Sequence, residues 1–217
     1  MHDDAAVHVI DDDEAVRHSL DFLFGSAGLA VRTYDSAESF LAVAAELRSG
    51  CVLTDVRMPG MDGLALQRRL RELGVRLPVI VMTGHGDVPI AVQALKAGAA
   101  DFIEKPFDDE VLLAAVRAAL EANRRARERE AEVEEIATRL ASLTPRERQV
   151  LERLVAGQPN KTIAFDLGTS PRTVEVHRAR VMEKMGARSL SELVRMALRV
   201  GVTADEPDFK GQEAPQH

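Results

Sequence analysis

Short apolar runs alternate with longer amphipathic ones over the first 120 residues. The short runs are VHVI (7–10), AVRTY (30–34), CVLTDV (51–56), PVIVMTG (78–84) and DFIEKP (101–106). Each has the length of a strand. VLT and VIVM are continuously apolar, as strands covered on both faces are. Between the runs, apolar positions recur at helical spacing. Val16, Leu20, Leu23 and Phe24 mark a first helix. LALQRRLREL (64–73), DVPIAVQALKAGA (87–99) and DDEVLLAAVRAALEA (108–122) follow the third, fourth and fifth strands. Pro89 suits a first helical turn, Gly98 a helix end and Asp108 an N-cap. Strands each followed by a helix predict an α/β fold with a parallel five-stranded sheet.

The second half loses the strand pattern. Residues 121–143 are rich in Ala, Glu and Arg and lack Gly and Pro, so they read as one helix, continuous with the fifth helix of the front half or separate from it. Val133, Ile136, Leu140 and Leu143 repeat at 3-4-3 spacing, either a coiled-coil seam or an edge packed on a neighbouring domain. Four short helices follow. Thr144-Pro145-Arg146-Glu147 is a capping box with proline at the first helical position. Asn160 is placed to cap KTIAFDL, which Gly168 ends. Ser170-Pro171 opens RTVEVHRARVMEKM, closed by Gly186, and Ser189-x-x-Glu192 is a second capping box. A short helix, a tight turn and a longer basic helix form the pattern of a helix-turn-helix.

The polar residues at the predicted strand ends then fall together. Asp11 and Asp12 close the first strand, Asp55 the third, Thr83 the fourth and Lys105 the fifth. In a parallel sheet all of them reach one edge, where α/β folds bind ligands. Three converging carboxylates repel unless a cation joins them, and Mg2+ prefers oxygen ligands. With a lysine and a hydroxyl nearby, Asp55 reads as the nucleophile of a phosphoryl-transfer site. Asp13 and Glu14 read as acids at the start of the next helix.

In the long basic helix, Val174, Val181 and Met185 share one face and should pack inward. Arg172, Thr173, Glu175, Val176, Ala179 and Arg180 lie on the other faces. Methyl groups among polar side chains suit a helix in the major groove. Arg178, Arg180, Lys184 and Lys161 are expected to grip phosphates. His85 reads as a loop histidine and His177 as a structural or phosphate-contacting one, neither as a metal ligand.

The chain has 217 residues, a net charge of -7 and one cysteine, Cys51. Residues 1–120 carry -8 and residues 144–203 carry +5, an asymmetry that points to two domains, the second with an anionic partner. No apolar run is long enough to span a bilayer. The acidic start lacks a basic region of the kind signal peptides have, and the lone cysteine suits a reducing compartment. A cytoplasmic protein without membrane attachment is expected, with domains at 1–120 and 143–203, a helical linker at 121–142 and a disordered tail at 204–217.

These motifs resemble a known family. DD (11–12), LTDVRMPGMDG (53–63), TG (83–84) and EKP (104–106) are similar to the receiver domain of two-component response regulators. LTPRERQVL, NKTIA, SPRTVEVHRA and KMGARS are similar to a LuxR-type helix-turn-helix domain. Together with VMTGHGDVPIAVQALKAGAADFIEKPF they resemble the FixJ subfamily, and the two matches span nearly all of residues 7–201. The resemblance implies a flavodoxin-like (βα)5 receiver joined by a helical linker to an all-α four-helix LuxR-type domain. It implies phosphorylation of Asp55 by a sensor histidine kinase. Mg2+ would be held by Asp12, Asp55 and the backbone carbonyl of Arg57, with Asp11 acting through water. Lys105 would contact the phosphoryl group beside a cis bond to Pro106, with Thr83 and Phe102 as switch residues. It further implies dimerisation across helix 4 and strand 5, near Val92 and Lys96. The helix-turn-helix would occupy residues 160–179, and the DNA domains would pair through Leu190, Leu193, Val194 and Ala197. RNA polymerase, promoter DNA, a FixL-like haem kinase and oxygen-linked nitrogen-fixation or microaerobic genes are the implied partners and targets.

Two other functions compete with a switched transcription factor that is not an enzyme. Haloacid-dehalogenase phosphatases also use an aspartate nucleophile, a Ser/Thr and a lysine around Mg2+. Asp11 and Asp13 match their D-x-D motif, but Ala15 fills its last position and no cap domain follows. A receiver that acts by constitutive dimerisation is the third reading, against which every expected site residue is present.

Overall fold

A computed structural model describes residues 5–84 and 88–203, apart from the side chain of Val88; His85 and the predicted tail lie outside the described residues. The chain divides into two compact units, Met1–Arg127 and Glu128–His217.

The first unit is a parallel five-stranded sheet in the order β2-β1-β3-β4-β5. Its strands are β1 (Ala6–Ile10), β2 (Ala30–Tyr34), β3 (Gly50–Asp55), β4 (Val79–Thr83) and β5 (Asp101–Glu104). The helices are α1 (Glu14–Ser26), α2 (Ala37–Ala44), α3 (Gly63–Glu72), α4 (Val88–Lys96) and the first part of α5 (Asp109–Ala141). Alternate residues of each central strand feed opposite cores. Val52 and Val81 pack with Phe40 of α2, Leu66 and Leu70 of α3 and Ala94 of α4. Val7, Val9, Cys51, Leu53 and Ile80 pack with Leu20 and Phe24 of α1 and Leu112 and Val116 of α5. Each fully buried large apolar side chain contributes roughly 1.5–3 kcal/mol, which is what drives both helix layers onto the sheet.

The helices begin where their capping residues dictate. Asp13 caps α1 by accepting from Ala15 N, and Asp62 caps α3 by accepting from Ala65 N. Asp108 accepts from the amides of Glu110 and Val111 at the start of α5. Helix α2, which no apolar periodicity had located, is nucleated by the Ser36 cap.

The second unit contains α6 (Pro145–Val155), α7 (Asn160–Asp166), α8 (Pro171–Met185), α9 (Leu190–Arg199) and the end of α5. The Thr144–Glu147 capping box forms in full. Two other expected caps do not. Pro159 is the N-cap of α7 and Asn160 its first helical residue, because the Pro159 carbonyl already accepts from Ile163 N. The Ser189 hydroxyl accepts from Glu192 N, but the Glu192 carboxylate reaches back to Arg188 N instead of the cap's own amide.

The apolar seam in α5 also has an occupant. Ile136 and Leu140 are buried in the core of the second unit with Val150, Leu151, Val174 and Val181, and Leu143 packs against it. Val133 remains 40% exposed. The seam therefore serves as a packed edge of the helical unit rather than a coiled coil.

Candidate functional site

The carboxyl ends of β1, β3, β4 and β5 gather the expected side chains. Strand order reverses between β1 and β3, and Asp11 and Asp55 stand at that switch point. Both are buried, at 2% and 9% exposure. Lys105 Nζ donates to Asp11 Oδ2 at 2.8 Å and to Asp55 Oδ1 at 2.6 Å. Burial alone would lower the lysine pKa, but the bonds to Asp11 and Asp55 outweigh it and hold the ammonium above its ordinary range. Arg57 N donates to the second Asp55 oxygen at 2.6 Å, so the carboxylate is gripped from two sides.

The backbone fixes these groups. Lys105 N donates to the Thr83 carbonyl at 2.7 Å, continuing the β4–β5 ladder one residue past the strand. The Lys105–Pro106 bond is cis, as expected. A side chain at Gly63 would place its Cβ 2.2 Å from the Asp55 carbonyl oxygen, so only glycine lets α3 start this close to the acidic residue. Thr83 is buried at the end of β4.

Asp12 is different: its side chain is exposed, whereas those of Asp11 and Asp55 are buried. Asp13 points out to cap α1 while its amide donates to Asp11 Oδ1 at 2.9 Å. That removes Asp13 from the phosphatase-type D-x-D role. Among the described residues no three acidic, imidazole or thiol side chains are gathered tightly enough to hold an ion. The pocket's donors are nevertheless oxygens, and two buried carboxylates outweigh the single charge of Lys105. Such a site fits a hard divalent cation that keeps several of its waters.

On the β5 side, Phe102 is turned outward and 37% exposed. On α4, Val92 and Leu95 are 44% and 46% exposed, and Lys96 lies in solvent. Helix α4 lies beside β5, so these exposed apolar side chains belong to neighbouring elements.

In the second unit, α7, the turn at Gly168 and α8 form the helix-turn-helix. Gly168 adopts a φ of 60°, the left-handed conformation that the turn requires. Arg146 reaches over from α6 to donate to the Leu167 carbonyl. Val174, Val181 and Met185 are fully buried, as their spacing predicted. Arg172, Thr173, Glu175, Val176, Ala179, Arg180 and Lys161 are exposed, and Arg178 is half-buried. His177 is half-buried, with Nδ1 shielded and unpaired. Lys184 departs from expectation. Its ammonium donates to Glu147 Oε2 at 2.7 Å and to the Ser142 carbonyl at 3.2 Å, so it braces the fold rather than standing free for a phosphate. The expected pairing face on α9 is also reduced. Leu193 and Ala197 are fully buried in their own unit, which leaves Leu190, Val194 and Leu198 at the surface.

A sheet edge carrying an aspartate–lysine–aspartate group, on one chain with a helix-turn-helix, defines a signal-receiving regulator with a DNA-reading output. Residues 7–117 match the model of the response regulator receiver domain, and residues 141–197 that of the bacterial regulatory proteins of the luxR family. The chain is 59% identical to the transcriptional regulatory protein FixJ of Azorhizobium caulinodans, over 93% of this chain and 96% of that one. Among solved structures it is similar to the response regulator StyR, with a TM-score of 0.81 and 40% identity over 90% of this chain and 98% of that one. It is similar also to full-length FixJ from B. japonicum, with a TM-score of 0.58 and 53% identity over 91% and 97%. The chain belongs to the FixJ-type response regulators, which join a receiver domain to a LuxR-type DNA-binding domain. That is a family of transcriptional regulators rather than of enzymes acting on a metabolite. No described helix is long and apolar enough to cross a membrane.

Proposed function

We propose that this regulator is switched by phosphorylation of Asp55. The observation that carries the reading is the single ammonium of Lys105 bonded to both Asp55 and Asp11. An Asp55 oxygen attacks the phosphorus of a kinase phosphohistidine. The new P–O bond forms as the P–N bond breaks, and the imidazole nitrogen leaves with a proton from solvent. Lys105 balances the charge gathered on the phosphoryl oxygens, and the Thr83 hydroxyl donates to one of them. Asp11, Asp12, Asp55 and the Arg57 carbonyl would hold Mg2+, which neutralises phosphoryl charge when bound.

The output follows from the same charge change. Phosphoryl oxygens draw Thr83 and then Phe102 inward, which reshapes the Val92, Lys96 and Phe102 face for a second receiver. Paired chains then present two α8 helices to a two-fold promoter site. Arg172, Thr173, Glu175, Val176 and Ala179 read base edges, while Lys161, Arg178 and Arg180 grip phosphates. RNA polymerase is recruited at that promoter. The kinase partner is a sensor histidine kinase. A FixL-like kinase and nitrogen-fixation or microaerobic genes complete the proposal, which here rests on the likeness to the FixJ relatives. The cytoplasm is the compartment consistent with a DNA target and with a buried, unpaired Cys51.

The test is Asp55→Asn with acetyl phosphate as donor. Wild type takes up phosphoryl, dimerises and binds promoter DNA more tightly, and the variant does none of these. A variant that still responds to the donor would overturn the reading.

A further inference from the structure

The guanidinium of Arg17 is tied to the acidic loop. Its Nη1 donates to the Asp11 carbonyl at 2.8 Å and to the Asp12 carbonyl at 3.0 Å. That nitrogen carries two hydrogens, and each finds one of the two carbonyls. Arg17 is one helical turn into α1, and helical side chains lean back towards the helix N-terminus, so the reach is unstrained.

The loop is held at three further points. Asp11 N donates to the Tyr34 carbonyl, the last rung towards β2. Asp13 N donates to Asp11 Oδ1, and Arg17 N to the Asp13 carbonyl. These bonds fix Asp11 and Asp13. The carbonyl of Asp12 is tied by Arg17 alone among the bonds described at this loop. Fixing the peptide planes on both sides of Asp12 fixes the direction of its Cα–Cβ bond. The guanidinium also sets a permanent positive charge behind Asp11, Asp12, Asp13 and Glu14, whose mutual repulsion would otherwise open the turn.

We infer that Arg17 is a positioning residue for the Mg2+ site: it clamps the Asp11 and Asp12 carbonyls so that the two carboxylates are held ready for the ion. This rests on the reading of Asp55 as phosphoryl acceptor and of the acidic loop as the metal's seat. Outer partners of metal ligands typically alter affinity about 10- to 100-fold, which sets the scale of the effect.

The experiment titrates Mg2+ into the full-length, unphosphorylated protein by calorimetry, for wild type, Arg17→Ala, Arg17→Lys and Asp55→Asn. Acetyl phosphate uptake is then followed across a range of Mg2+ concentrations. Arg17→Ala is expected to weaken Mg2+ binding about tenfold and to move the uptake curve to higher Mg2+ by the same factor. Its rate at saturating Mg2+ should stay within about threefold of wild type, and Arg17→Lys should recover part of the affinity. Circular dichroism verifies folding, and Arg17→Lys carries the comparison if Arg17→Ala does not fold. A folded Arg17 variant with unchanged Mg2+ affinity overturns the inference, as does loss of melting temperature without any shift in the Mg2+ titration. If Asp55→Asn still takes up phosphoryl groups, the acceptor reading fails whatever Arg17 does. If only Asp55→Asn is silent and the Arg17 variants titrate as wild type, the acceptor reading stands and the clamp falls.

Discussion

Lys184 Nζ lies 2.7 Å from Glu147 Oε2, which ties the last turn of α8 to the first turn of α6. Glu147 is 2% exposed and its other bond is to Thr144 N. Lys184→Met therefore leaves a buried carboxylate short of its cation, and should cost the helical unit about 1–3 kcal/mol. A phosphate contact would instead lower the salt slope of DNA binding by about one when removed. The slope of Lys184→Met should match wild type, whereas that of Arg180→Met should be shallower. Urea melts and DNA titrations at several salt concentrations check both.

The same bonds, that from Lys184 foremost, hold the Glu147 carboxyl down to about 2, from an ordinary 4.5. In the unfolded chain it takes up its proton first. Stability from this group is complete above pH 4.5 and is lost as pH falls towards 2. Glu147→Gln should be less stable than wild type at neutral pH, and the gap should narrow on acidification through that window.

His8 gives the receiver a different acid response. It is 1% exposed on β1, with Nδ1 3.1 Å from the Tyr34 hydroxyl and Nε2 buried without a partner. Burial, aided by the charge of Arg32, lowers its pKa to about 4. The unfolded histidine takes up its proton first, at an ordinary value near 6.5. Stability is therefore lost as pH falls from 6.5 to about 4, on the order of 3 kcal/mol. His8→Leu should flatten this dependence between pH 6.5 and 4.5. Tyr34 is the sole tyrosine of a chain without tryptophan, so its emission follows this unit alone during urea melts.

Gly63→Ala should damage fold and site together. Its Cβ would press on the Asp55 backbone, which a rigid strand end cannot yield. Overpacking of this kind costs roughly 1–3 kcal/mol. We expect a lower urea midpoint and slower acetyl phosphate uptake, with Mg2+ unable to restore the rate.

Val92→Glu should separate receiving from pairing. Val92 is 44% exposed, so the monomer tolerates the change. Phosphoryl uptake should stay within about twofold of wild type. Burying an unpaired charge should weaken the phosphorylated dimer by about 2 kcal/mol or more, roughly thirtyfold. Sedimentation of the phosphorylated protein decides it.

Much of this was legible in the sequence because the periodicities were clean. Strands β1, β3 and β4 are buried on both faces, and β3 and β4 wrote the continuous apolar runs VLT and VIVM. The inward face of α8 could be read from the spacing of Val174, Val181 and Met185. The strand-end residues Asp11, Asp55 and Lys105 were legible because parallel topology sends all carboxyl ends to one edge. Helix α2 was harder to see: Ser36 marks its start, but over its eight residues the apolar pattern completes only two turns. The brace made by Lys184 was hidden too, since its partner lies 37 residues away on another helix. So was the burial of Leu193 and Ala197, because an apolar stripe does not say whether it faces the same chain or another. Arg17 left only a faint trace, a cation one helical turn beyond an acidic run. Gly63 left another, a glycine directly after a capping aspartate.

The two ends of α5 belong to different cores. Asn123 accepts from Gly50 N inside the first unit, and Ile136 and Leu140 fill the second. Arg139 donates to the Met185 carbonyl at the end of α8, and Arg199 of α9 pairs with Glu132. A DNA-binding fragment cut at residue 143 would thus lack part of its own interior and the cation at the tail of its recognition helix. Gene fusions that graft a new sensor onto this output should join upstream of Glu132, between the last residue that one core needs and the first that the other does.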